Sequence, residues 1–238
     1  MAETTQDDRI LSIATPLGKD YVLLSKFTAE EGMSKLFRIE AELLHEETEA
    51  KFEPTVIDPH SLLGQGVTIT VTSNDGVTRD FSGMVCEFDQ GMRDVRFTVY
   101  NITIVPHVWM LTQKGQSQIF QQMSVPDILR KIFAGFEFKI ELQGQYEPRN
   151  YCVQYRETDW DFAARLMEEE GMFYFFEHTG GKDKMIIADT AQSNAECLGK
   201  HQIKYHRIGE EEYFYGSISK FLNDYRIKTG KVTLWDHN

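Results

Sequence analysis

Glu168-Glu169-Glu170 is the run with the most evident capacity for chemistry. A pair of catalytic carboxylates, as in a glycosidase, must face one cleft at a set separation. Consecutive residues of a helix point about 100° apart, so these three cannot converge on one bond. Arg165, three and four residues earlier, is spaced to pair with Glu168 and Glu169. The run therefore reads as a charged helix face with local ion pairs, and no catalytic residue is assigned. Cys197, His201 and His206 suggest a metal site at first sight. A structural zinc site takes four ligands, no fourth stands at a characteristic spacing, and on a strand His201 and His206 would face opposite ways. No metal site is assigned. His107 precedes Trp109 in an apolar segment and reads as a hydrogen-bonded core or interface histidine. There is no phosphate-binding glycine loop, dinucleotide fingerprint or nucleophile elbow, so no cofactor is expected.

The charge balance narrows the partners. Lys and Arg number 25, Asp and Glu 37, a formal net charge of -12. Basic residues are interspersed with acids rather than gathered in a patch. Nucleic acid and anionic lipid surfaces are therefore disfavoured. No apolar run approaches the roughly 20 residues of a membrane span, so no membrane insertion is expected. Met1 to Arg9 is polar and acidic without an apolar core segment, so no Sec-type signal peptide is expected. Cys86, Cys152 and Cys197 are odd in number and widely spaced, which is not a disulfide framework.

The elements that would hold these residues are mostly strands in the first half. Residues 35 to 44 alternate, with Phe37, Ile39, Ala41 and Leu43 on one face. Val67, Ile69 and Val71 repeat the pattern, and Asn74-Asp75-Gly76 supplies a turn. The next strand sets Phe81, Gly83 and Val85 opposite Met84, Cys86 and Phe88, so both faces are apolar, as in a closed barrel. Asp89-Gln90-Gly91 reads as the following turn. Val95, Phe97 and Val99 then run in phase before slipping to Ile102 and Ile104, which predicts a bulge or bend there. The outcome is an antiparallel meander of about five strands closing as a small barrel. The middle turns helical. Ser124 caps a helix with Ile128, Leu129, Ile132 and Phe133 on its buried stripe. Thr158 caps a second helix, with Asp159 at its positive end, Phe162, Ala163, Leu166 and Met167 on its apolar face, and Gly171 as its stop. An aromatic strand, a Gly180-Gly181 turn and the strand KMIIAD follow. Further strands are expected near Tyr205, Tyr213 to Ile218 and Lys231 to Trp235. The fold class is thus α+β and β-rich, a barrel with an inserted α+β module.

The segment YCVQYRETDWDFAARLMEEEGMFYFFEH, Tyr151 to His178, closely resembles the signature of the valine-glycine repeat (VgrG) spike proteins of type VI secretion. Gln154, Tyr155, Glu157, Asp159, Phe162, Arg165, Leu166, Glu168, Glu169, Gly171 and His178 fit that pattern. Leu63-Gly64-Gln65, the run Arg79, Phe81, Gly83 and Val85, the stretch from Tyr100 to Leu111, and Val125 to Leu129 resemble other parts of it. The resemblance implies a phage tail-hub-like fold, in which two related β-barrels flank an α+β insertion. It implies a homotrimer whose six barrels form a pseudo-sixfold ring seated on the hexameric Hcp tube, with effectors or adaptors as further partners. It also implies residence in the bacterial cytoplasm until the apparatus carries the protein out. On that template residues 1–115 with 205–238 are expected to build the first barrel and 116–204 the insertion. The second barrel, the oligonucleotide-binding-type domain and the needle are expected to be absent, and this chain alone is expected to be monomeric or weakly associating. A baseplate hub of a phage or phage-like tail is the alternative. A cell-wall hydrolase carried on the hub is a further one, which Glu168→Gln and Glu169→Gln in a peptidoglycan turnover assay would reveal.

Overall fold

The computed structural model describes residues 4–7, 9–47, 56–73, 76–193, 205, 218, 220–225, 227, 230, 231 and 233. The chain divides into a unit spanning Met1–Ala195 and another spanning Glu196–Asn238. In the latter, Tyr205 and Ile218 form a parallel bridge. Most of the segments expected to be strands beyond residue 200 lie outside the described residues, as do Cys197, His201 and His206.

The first unit opens with six strands, β1 (Leu11–Ala14), β2 (Leu23–Glu30), β3 (Arg38–Glu46), β4 (Gly66–Thr72), β5 (Thr78–Arg93) and β6 (Phe97–Val105). They form one antiparallel sheet in the order β1-β4-β5-β6-β3-β2. The alternation predicted for residues 35 to 44 holds. Phe37, Ile39, Ala41 and Leu43 are buried and join Ile69, Val85, Tyr100 and Ile104 in one core on the sheet's inner face. The hydrophobic effect at roughly 25 cal/mol per Å² of apolar surface drives this side of the fold.

The two edge strands come within reach of a single side chain. The buried Gln6 accepts from the backbone N–H of Ile13 in β1 and of Leu24 in β2 through Oε1, at 3.0 and 3.2 Å. Its Nε2 donates to the Ile13 carbonyl at 3.2 Å. The amide thus stands where a further strand would, and it satisfies edge groups that otherwise lack partners. Gln6→Ala is expected to lower the unfolding free energy by about 2 kcal/mol, because it orphans buried backbone donors. Urea titration of both proteins checks this, and hydrogen exchange should quicken at Ile13 and Leu24 first.

Two strand-level expectations need correction. The expected turn at Asp89-Gln90-Gly91 is strand: β5 runs on to Arg93, and Gln90 lies opposite Tyr100. The chain turns at Asp94 instead, where the carboxylate accepts from the N–H of Arg96 and of Phe97. That local side-chain bond makes the later turn the cheaper one. The bulge expected in β6 is in β5, where the register shifts between Val85 and Glu87 and again between Gln90 and Arg93. β6 keeps one phase, with Thr98, Tyr100, Ile102 and Ile104 all buried, while Val95 lies outside it and fully exposed. The shift rotates Phe88 away from the Met84 face and stacks it on Tyr100, with ring centroids 5.3 Å apart.

The α+β part follows a 3-10 turn at His107–Gln113. It comprises β7 (Gly115–Phe120), α1 (Val125–Ile132), β8 (Phe138–Glu141), β9 (Cys152–Thr158), α2 (Asp159–Glu169), β10 (Phe173–Thr179) and β11 (Lys182–Ala188). β7 and β9 pair as a ribbon, and β10, β11 and β8 form a small sheet with β8 parallel to β11. Ile128, Leu129, Phe133, Phe162, Leu166 and Ile187 centre its own core. Phe176 packs against both cores and meets Phe37 edge-on at 5.1 Å. The double burial expected from Phe81 to Phe88 is present over Phe81 to Val85, where the β10 and β11 hairpin lies over the outer face of β5, and lapses beyond it, with Cys86 and Phe88 half-buried and Glu87 exposed.

Candidate functional site

The signature residues gather around α2 and the two strands that flank it. Thr158 caps the helix, its Oγ1 accepting from the Asp161 N–H at 3.0 Å. Asp159 opens the first turn, 3% exposed. Its Oδ1 accepts from Gln154 Nε2 at 2.8 Å and from Gln116 Nε2 at 2.6 Å. Oδ2 lies 3.3 Å from Lys114 Nζ, and the Asp159 N–H donates to the Lys114 carbonyl. Burial works against the charge. The bonds from Gln154, Gln116 and Lys114 outweigh it and hold the carboxyl below the usual carboxylate range. This network fastens β7, β9 and the start of α2 to one another. The sequence marks Asp159 as a favourable first-turn charge but carries no sign of Gln116 or Lys114 as its partners.

The outer side of α2 carries the ion pairs. Arg165 donates to Glu157 at 2.6 Å and to Glu169 at 3.1 Å, and its guanidinium lies over the Phe162 ring. Phe162 stacks on Phe120 beneath, and Leu166 is fully buried. Arg149 donates to Glu169 at 2.7 Å and to Glu170 at 2.5 Å. Burial raises the Glu169 carboxyl, and the two arginines more than reverse that, so it sits below its ordinary range. The predicted pairing of Arg165 with Glu169 is present. Its predicted pairing with Glu168 is replaced by Glu157, since β9 brings that carboxylate closer, and Glu168 faces solvent. Arg149, missed in the sequence because it stands twenty residues away, offsets the cost of acids at a helix C-terminus. Gly171, at φ 71°, closes the helix. Its N–H bonds to the Glu168 carbonyl and the Met172 N–H to that of Met167, the double bond of a Schellman stop.

The chain then enters β10 and reaches His178, whose side chain is almost fully buried beside Phe37 and Phe81. Nδ1 lies 3.0 Å from both the N–H and the carbonyl oxygen of Ser82, and Nε2 lies 3.0 Å from Glu31 Oε1. The last residue of β6 pairs with Met84, so the imidazole meets β5 just past the point where β6 has left it. His178 thereby ties the small sheet to the large one. Tyr155 differs from the rest of the set. It is 64% exposed, and its ring lies under the guanidinium of Arg156, a residue whose backbone has φ 52°. The arrangement is one of interlocked structural contacts. Among the described residues no group of three or more His, Cys, Asp or Glu side chains is placed to hold a metal ion.

Residues 30–238 match the family model of the phage tail baseplate hub (GPD). The chain is 31% identical to the type VI secretion system spike protein VgrG1b of Pseudomonas aeruginosa, over 92% of this chain and 31% of that protein. It is 32% identical to VgrG1a of the same organism, over 97% of this chain and 35% of that one. It thus spans about a third of the length of these relatives. Among solved structures it is similar to the E. coli c3393 protein, described as a component of the type VI secretion system, with a TM-score of 0.63 and 21% identity. That match covers 82% of this chain and 51% of the other. The 43 kDa tail protein of prophage MuSo2 from Shewanella oneidensis matches with a TM-score of 0.55 at 12% identity, over 84% of this chain and 56% of that one. At these identities the structural matches speak to the fold.

Proposed function

Because this chain belongs to the phage tail baseplate hub family, we propose that it forms the hub of a type VI secretion spike. In this reading the curled sheet is a barrel whose seam Gln6 closes, and the α+β part is an insertion that the Asp159 network stiffens and the His178 contacts hold on its wall. Three copies of the protein would seat on the Hcp tube, and sheath contraction would drive tube and spike into a target cell. The role is mechanical. The signature residues serve it by fixing the geometry of the insertion, and Glu168 and Glu169 have no catalytic part. Export would follow from the contractile apparatus itself. The observation that carries the proposal is the match to VgrG spike proteins over more than nine-tenths of this chain, signature segment included.

The test is genetic. Deleting the gene in its host is expected to abolish release of Hcp into the medium, and the wild-type gene should restore it. Loss of contractile particles with Hcp release intact would favour the phage-like reading, which the family description and the prophage neighbour support. A deletion that leaves both unchanged would overturn the proposal.

A further inference from the structure

The tip of the β10 and β11 hairpin is held at two points that face each other across the hairpin, one on the large sheet and one on the 3-10 turn that follows β6. His178 and Asp183 are direct cross-strand partners. His178 grips Ser82 and Glu31, and Glu31 is paired in turn with Arg79. Asp183, buried, accepts from the backbone N–H of His107 at 2.7 Å through Oδ2, and its Oδ1 contacts the His107 ring at Nδ1. Each tie therefore joins a histidine to a carboxylate, the first across the joint between the two cores and the second between β11 and the turn that follows β6. Other charged groups on the elements packed against the ties include Asp80 on β5, Glu177 on β10, Lys182 and Lys184 on β11, and, on the elements that pack against the His107 turn, Glu157 on β9 and Asp159 on α2. Asp80 accepts from Thr70, and Lys182 pairs with Glu137, so neither is committed to the ties.

The two histidines are not equivalent. The His178 ring is held at both nitrogens, by the Ser82 backbone at Nδ1 and by Glu31 at Nε2. Among the described residues His107 has one side-chain partner, Asp183, and the bond is charge-assisted on both sides only while the imidazole is charged. We propose that the hairpin is a pH-set latch, in which His178 is the pin that locates the tip and His107 an arm that holds firmly in mildly acidic solution and loosens toward alkaline pH.

The hydrogen bond to Asp183 raises the His107 pKa against the opposing effect of burial. A group raised on folding contributes its full stability below the unfolded value, about 6.5, and loses it as pH rises through the folded one. The bond from His178 lowers the Glu31 pKa, so that tie is complete above the unfolded value of about 4.3 and is lost as pH falls through the folded one. The latch is firmest between these limits. Hydrogen exchange on the whole chain tests it, reading residues 177–184 against α2 and corrected for intrinsic rates. From pH 5.5 to 8.5 the relative protection of the tip should fall roughly fivefold, the worth of one charge-assisted bond over a neutral one. His107→Gln should flatten that dependence, and His178→Gln should lower protection at every pH. A flat wild-type profile, or an unchanged slope in His107→Gln, would overturn the latch.

Discussion

Gly83→Val is expected to cost about 4 kcal/mol or more, enough to unfold a domain of ordinary stability at modest temperature. A Cβ on Gly83 would lie 2.7 Å from the Val105 carbonyl oxygen, 2.8 Å from Ile104 Cγ2 and 3.1 Å from Phe37 Cε2. The first of these is backbone in the neighbouring strand and cannot swing aside. Ile104 and Phe37 are fully buried in the same core, so neither has free volume to enter. Relief requires β5 and β6 to part where Met84 pairs with Val105. Even Gly83→Ala should cost about 2 kcal/mol, since the clash begins at the first carbon. Gly66→Ala is the matched control. Its Cβ would come no nearer than 3.9 Å to the His107 ring, so a change within about 0.5 kcal/mol is expected. Thermal and urea unfolding of the three variants decide the matter. Equal losses at positions 83 and 66 would show that the close approach of β5 and β6 is not what requires glycine.

That glycine also marks how far the sequence could be read. Phe81, Gly83 and Val85 stood out as one face of a strand because period-two alternation is a local signal. That the glycine meets Val105 depends on β6 arriving at that register, which no alternation discloses. The same division runs through the site. Ser124, Thr158 and Gly171 were legible as caps and stop because each acts on residues two or three positions away. Phe162, Leu166 and the stripe of α1 were legible from helical spacing. Arg149 with Glu170, His107 with Asp183 and Gln6 with Leu24 were not, because each joins elements that only the fold brings together. Phe88 was put on the wrong face because a bulge adds one residue without any change in composition. The family signature filled part of this gap. It named His178 and Gln154 as members of one set, though nothing local in the sequence said that one would grip Ser82 and the other Asp159.

Asp159→Ala is expected to destabilise the protein by about 3 kcal/mol, the cost of leaving buried amide donors without their acceptor, since Lys114 is exposed enough to be solvated. Gln154 is fully buried, and its Oε1 already lacks a hydrogen-bond partner. Loss of Asp159 would leave its Nε2 with the 3.3 Å bond to the Glu157 carbonyl alone. Gln116 Nε2 and Lys114 Nζ would lose the same carboxylate, and the first turn of α2 its negative charge. Asp159→Asn should be milder, at about 2 kcal/mol, because one amide oxygen still accepts while its NH2 group faces the donors of Lys114. The pH dependence separates this account from a simple loss of packing. The Asp159 carboxyl sits below its ordinary range when folded, so its contribution is present above the unfolded value of about 3.9 and is lost as pH falls through the folded one. The stability gap between wild type and Asp159→Asn should therefore be constant from pH 5 to 8 and close at lower pH. Urea titrations at pH 7 and pH 3 measure it. A gap that persists unchanged at pH 3 would assign the loss to shape rather than charge, and the network would then be a packing contact with polar atoms rather than an electrostatic anchor for α2.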